Sequence, residues 1–115
     1  MVFNLISSLL AEEKDIEVVG HATDLDQATH LISRCNIMLV STQLPERGAL
    51  RLIRKIVFEH HPVKVLVLGL TESRAQIIQY IEAGAVGYVL KDDSADALVQ
   101  SIRAAAEDQA IVSPR

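Results

Sequence analysis

Val63–Leu70, VKVLVLGL, is the longest apolar run of strand length in the chain, broken by a single lysine and rich in β-branched valine. It follows Pro62 and gives way to Thr71-Glu72-Ser73, so it reads as one strand with polar connections on either side. A strand apolar at successive positions is buried on both faces. Sheets built from such strands are parallel, with helices covering each side.

Working outward, the flanking segments switch to helical spacing. Upstream, Leu52, Ile53, Ile56 and Val57 form one helix face that must end before Pro62. Before it lies a second strand, Asn36–Val40 (NIMLV), with Pro45 and Gly48 marking the loop between. Asp24 can cap a helix whose inner face is Leu25, Ala28, Leu31 and Ile32. Ile16–Val19, closed by Gly20, reads as a further strand. Val2, Leu5, Ile6, Leu9 and Leu10 form a first helix stopped by Glu12-Glu13-Lys14-Asp15. Downstream, Arg74–Ala83 predicts a helix with Ile77, Ile78 and Ile81 inside and Gly84 at its end. Val86–Leu90 is the last strand. Ser94 or Asp93 caps a final helix whose stripe is Ala95, Leu98, Val99, Ile102, Ala105 and Ala106. Strands alternating with helices predict an α/β fold, a doubly wound parallel sheet of about four strands in a single domain over residues 1–115.

Composition removes several function classes. Eleven Lys and Arg against fifteen Asp and Glu give a formal charge of −4, the wrong balance for a phosphate-backbone surface. The aromatics are Phe3, Phe58, Tyr80 and Tyr88, too few for base stacking. No apolar run approaches the roughly 18 residues of a membrane span, and MVFNLISSLLAEEKD lacks the basic flank of a signal peptide. Cys35 is the lone cysteine, which suits core packing and a cytoplasmic location.

DIEVVGHA, NIMLVSTQLPERGAL, VKVLVLGLTES and IEAGAVGYVLKDDSADALVQSIRAAA together resemble the receiver domain of two-component response regulators, with AGAVGYVLKD the most specific part. The nearest subtype is the one that precedes a LuxR-type helix-turn-helix (LuxR/NarL type). The resemblance covers nearly the whole chain and implies a flavodoxin-like fold with strand order 2-1-3-4-5. In that family a strand-end aspartate accepts phosphate, an acidic pair after the first strand binds Mg²⁺, and a Ser or Thr and an invariant lysine hold the phosphoryl oxygens. Metal and lysine neutralise charge that develops during transfer. An aromatic three residues before the lysine changes position on activation.

Carried onto this sequence, the acceptor position is Ser41 and the Ser/Thr position is Gly69, with Thr71 two residues on. Lys91 and Tyr88 match the retained lysine and aromatic. Met1 aligns inside the first helix, so the first strand and its acidic pair are expected to be missing and no Mg²⁺ cage or cofactor is expected. If that central strand is absent, Ile16–Gly20 can slide over to pair with Asn36–Val40, a second chain can donate a strand, or the edge stays open. The first of these, four strands in sequence order, is the expectation, with self-association as its consequence.

Each candidate has a plainer reading. Ser41 could be a nucleophile paired with His21, but G-x-S-x-G is absent and a small polar residue explains it. His30, His60 and His61 read as solvated helix-end residues, so no metal site is expected. Lys91 and Thr71 could bind an anion, or Lys91 could pair with Asp92 or Asp93, while Tyr88 could simply pack. Helix capping accounts for Asp92 and Asp93. The expected function is therefore a non-enzymatic, phosphorylation-independent receiver that dimerises or binds another protein in transcription control. DNA would be reached only through a C-terminal domain beyond this chain. The alternative is a ligand sensor binding a small molecule or anion near Ser41 and Lys91.

Overall fold

The computed structural model describes residues 8–44, 47–70, 73–90 and 92–107, with the side chain of Leu70 left aside. Seven elements follow in chain order. They are α1 (Leu25–Leu31, continued by a 3-10 turn Ile32–Arg34), β1 (Ile37–Ser41), α2 (Gly48–Phe58), β2 (Lys64–Leu70), α3 (Arg74–Ala83), β3 (Gly87–Leu90) and α4 (Ala95–Ala106). Residues 8–11 add a helical turn before α1; the rest of the predicted first helix, with Val2, Leu5 and Ile6, lies outside the described residues.

The starts of three helices follow from side-chain chemistry. Asp24, Ser73 and Ser94 each accept a hydrogen bond from the backbone N–H three residues on, at Gln27, Gln76 and Ala97. This satisfies an amide that the helix itself leaves unpaired. At the other ends, α2 stops at Phe58, before Pro62, and α3 stops at Gly84 with φ +131°. A Cβ on Gly84 would clash with Val57 Cγ2, so conformation and space both require glycine there.

The sheet is parallel, in the order β1-β2-β3. Its centre is β2, where Val65, Leu66 and Val67 are essentially sealed from solvent. On one face Val40, Val65, Val67, Tyr88 and Leu90 pack under α1, α2 and α3; on the other, Leu66 and Val89 pack with Leu98, Val99, Ile102 and Ala105 of α4 and with Leu10. The doubly wound α/β architecture is as the sequence predicts.

Several expectations fail in detail. The described sheet has three strands, not four. Ile16–Gly20 forms no ladder, and Val18 and Val19 are exposed. Its ends are held elsewhere: Asp15 is clamped by Arg103 of α4, and Gly20 lies against Leu31 of α1. Ile16 packs with the α4 side of the core and Ala22 with the α1 side. Val57, Ile78 and Ile81, read as inward, are exposed; the inner face of α3 is Ile77 and Tyr80. Ala95 and Ala106 also face out, leaving Leu98, Val99, Ile102 and Ala105 as the buried stripe of α4.

Candidate functional site

Ligands of parallel α/β sheets gather at the carboxyl ends of the strands, so those ends define the candidate site. β1 ends at Ser41, whose side chain is exposed. Its Oγ accepts the N–H of Gln43 at 3.0 Å, and its carbonyl accepts the N–H of Leu44 at 3.2 Å. The hydroxyl is thus built into the turn that leaves the strand. A serine attacks as a nucleophile only with an adjacent base, and the hydroxyl here meets a backbone amide instead.

The ladder continues one residue past Ser41, through Thr42 N–H to Leu68 O at 3.1 Å. Then it is disturbed. The β2–β3 register slips between Leu68 and Leu70, and Gly69, between them, has φ +85°. A Cβ built on Gly69 would lie 3.4 Å from Thr42 Oγ1, which is ordinary contact. Space therefore does not forbid a side chain at Gly69; the left-handed backbone does. Thr42, which sequence reading did not single out, is the side chain brought nearest to this point. Its position depends on the bulge in β2, which no periodicity announces.

At the end of β3, Tyr88 is buried among Val65, Val67 and Leu90, so it packs. The N–H of Leu90 donates to Asp93 Oδ2 at 2.9 Å, and the N–H of Asp93 donates to Leu90 O at 3.0 Å. This reciprocal pair closes the turn after β3. Ser94 is the N-cap of α4, where the sequence left Ser94 and Asp93 as alternatives. Lys91 and Thr71 lie outside the described residues. His21 is exposed, His30 Nδ1 sits 2.8 Å from Asp26 O, and His61 pairs with Glu59. Among the described residues, no group of three or more His, Cys, Asp or Glu is placed to hold a metal ion.

The strongest electrostatic arrangement lies away from the strand ends. Arg103 on α4 binds Asp15 through two nitrogens, at 2.9 and 3.1 Å, and Glu13 through Nη2. The guanidinium holds the Asp15 carboxyl below its usual range, and the two carboxylates push Arg103 up. Cys35 is half-buried, donates to Leu31 O at 3.3 Å, and has its thiol pKa raised by burial.

Comparison with known proteins agrees with this architecture. Residues 1–103 match the model of the response regulator receiver domain. The chain is 29% identical over 112 residues to the transcriptional regulatory protein DegU of Brevibacillus brevis, covering 96% of this chain and 48% of that protein. It is 28% identical over 112 residues to the nitrate/nitrite response regulator protein NarP of Escherichia coli K12, covering 96% of this chain and 52% of that protein. The chain thus spans about half the length of these curated relatives. Among solved structures, a LuxR-family two-component response regulator from Aurantimonas sp. SI85-9A1 superimposes with a TM-score of 0.88 at 25% identity, over 97% of this chain and 81% of that one. A LuxR-family DNA-binding response regulator from Staphylococcus aureus shares the fold, with a TM-score of 0.81 at 21% identity over 90% of this chain and 88% of that one. No described helix is long and apolar enough to cross a membrane. The chain belongs to the response regulator receiver domain family.

Proposed function

We propose that this receiver domain, a single unit over residues 1–115, signals without aspartyl phosphorylation. It acts as a protein-interaction and dimerisation module of cytoplasmic transcription control and not as an enzyme. The observation that carries the reading is Ser41, a turn-bound hydroxyl at the end of β1, where the family resemblance expects the phosphate-accepting carboxylate. A carboxylate can form the acyl phosphate that receivers use. A hydroxyl cannot form an acyl phosphate, and without a base it is a poor nucleophile for forming a phosphate ester instead. Gly69 supports the same reading, because it supplies no hydroxyl and its φ of +85° disfavours the Ser or Thr that would. Tyr88, packed into the core, is on this reading a structural residue. Contact with DNA would fall to a part outside this domain, for which the curated transcriptional regulators have room, since they are about twice as long as the chain. A formal charge of −4 does not favour DNA contact by this domain.

Beryllofluoride, which mimics a phosphoryl group on a carboxylate, tests the reading. Adding it with Mg²⁺ to ¹⁵N-labelled protein should leave the amide resonances of Ser41, Thr42 and Tyr88 unmoved. Saturable shifts at these residues would contradict the proposal.

A further inference from the structure

Positive charge and exposed apolar surface coincide on the outer face of α2. Arg51, Arg54, Lys55 and Phe58 recur at i, i+3, i+4 and i+7, which sets them in one stripe along the helix. The opposite face, with Ala49, Leu50, Leu52, Ile53 and Ile56, is buried in the core. Arg51 and Arg54 are exposed, and neither forms an ion pair with a described residue. Lys55 is held by Glu59 at 2.8 Å. Phe58 ends the stripe with 83% of its surface exposed, the most of any large apolar side chain described. Beside it Val57, also exposed, extends the apolar surface toward Gly84 at the end of α3.

Folding explains neither feature. Residues 47–61 hold four of the eleven Lys and Arg and one of the fifteen Asp and Glu, so this segment carries +3 while the rest of the chain carries −7. Solubility of a helix face asks for charge of either sign and for no aromatic. Phe58 is part of neither packed core, whereas Tyr80 and Tyr88 are both buried. Arginine beside an exposed aromatic is the pairing that supplies most of the binding energy at protein interfaces. Charge complementarity then defines the occupant, which must be anionic and must carry an apolar side chain to cover Phe58. A nucleic-acid backbone meets only the first condition. One aromatic is a poor stacking platform, and a long polyanion would meet the remaining −7 of the domain. A second copy laid two-fold across the same stripe would set Arg51 and Arg54 against like charges.

We propose that the outer stripe of α2 docks an acidic segment of a separate protein, whose carboxylates pair with Arg51 and Arg54 and whose aliphatic or aromatic side chain covers Phe58 and Val57. The guanidinium groups accept carboxylates in two-bond geometry and fix the orientation of the segment. Burial of Phe58 supplies the part of the affinity that salt does not screen. This deepens the reading of the domain as a protein-interaction module, and it does not depend on Ser41.

Titration of the ¹⁵N-labelled whole chain with the peptide EELLEELLEE, followed by amide shifts, tests it. Saturable shifts should appear at Arg51, Arg54 and Phe58, and added salt should weaken them. The peptide EESSEESSEE, with the same charge and no apolar side chain, should bind about tenfold more weakly. Phe58→Ser should lower affinity for the leucine peptide by a similar factor, and Arg51→Glu combined with Arg54→Glu should abolish binding. All three positions are exposed, so the variants should keep the fold; if one does not, the comparison of the two peptides decides. No saturable shift at these residues, or equal binding of both peptides, would overturn the proposal. So would binding of a single-stranded oligothymidylate at the same residues as tightly as the leucine peptide, which would assign the stripe to nucleic acid. Shifts at these residues on raising protein concentration alone would assign it to a second copy and overturn the proposal too. None of these results bears on the beryllofluoride response, so the two proposals fail separately.

Discussion

His60 shows what a single residue can cost. It sits just past α2 with φ +59°, and its N–H bonds Val57 O while that of His61 bonds Ile56 O. That is a left-handed helix ending in which glycine is the favoured residue. His60→Gly should therefore raise stability by about 1 kcal/mol, read from a denaturant midpoint. Gly69 is the opposite case. Gly69→Thr would restore the family hydroxyl but places a β-branched side chain at φ +85°. It should cost about 1–2 kcal/mol or force the bulge in β2 to relax, which amide shifts at Leu68 and Leu70 would reveal. The place of Ser41 at the end of β1 was legible in the sequence, because the apolar run Asn36–Val40 stops just before it. The conformation of Gly69 was not, because a bulge is a property of the β2–β3 pairing and leaves no mark in spacing.

At the scale of elements, the apolar runs at Ile37–Ser41, Lys64–Leu70 and Gly87–Leu90 and the caps Asp24 and Ser94 were readable because each rests on local chemistry. The strand expected at Ile16–Val19 was not formed, although its composition is that of a strand. Propensity cannot decide pairing when the ends of a segment are held by other contacts. Arg103 is the clearest of these, joining α4 to Glu13 and Asp15 across 88 residues or more. Asp15 has a folded pKa below its ordinary value of 3.8. It therefore contributes stability that is present above about pH 4 and lost as pH falls through the folded pKa. Glu59, lowered by Lys55 and His61, acts in the same direction. Melting temperatures should decline below about pH 4, and Arg103→Met should flatten the part due to Asp15. An unchanged acid profile in that variant would show that the clamp contributes nothing measurable.

At the scale of the whole molecule, the core is centred on β2 and shared by both helical layers, with Leu52, Ile53, Leu66 and Val67 the most deeply buried large side chains. Leu52→Ala or Ile53→Ala should cost about 2–5 kcal/mol in denaturant unfolding, as expected for cavities in a packed interior. A loss below about 1 kcal/mol would mean that α2 is held less firmly than its burial indicates. Fold class was legible because burial on both sheet faces imposes it on sequence. The inward faces of α2 and α3 were less so, since Val57, Ile78 and Ile81 fit helical spacing yet face solvent. The central functional proposal, a receiver without an aspartyl phosphate, rests on Ser41, and one measurement meets it most directly. Intact-protein mass is recorded after incubation with Mg²⁺ and acetyl phosphate, with Ser41→Asp alongside. The expected result is no added mass on the natural sequence; a stoichiometric gain of one phosphoryl group would contradict it and place the acceptor on another residue.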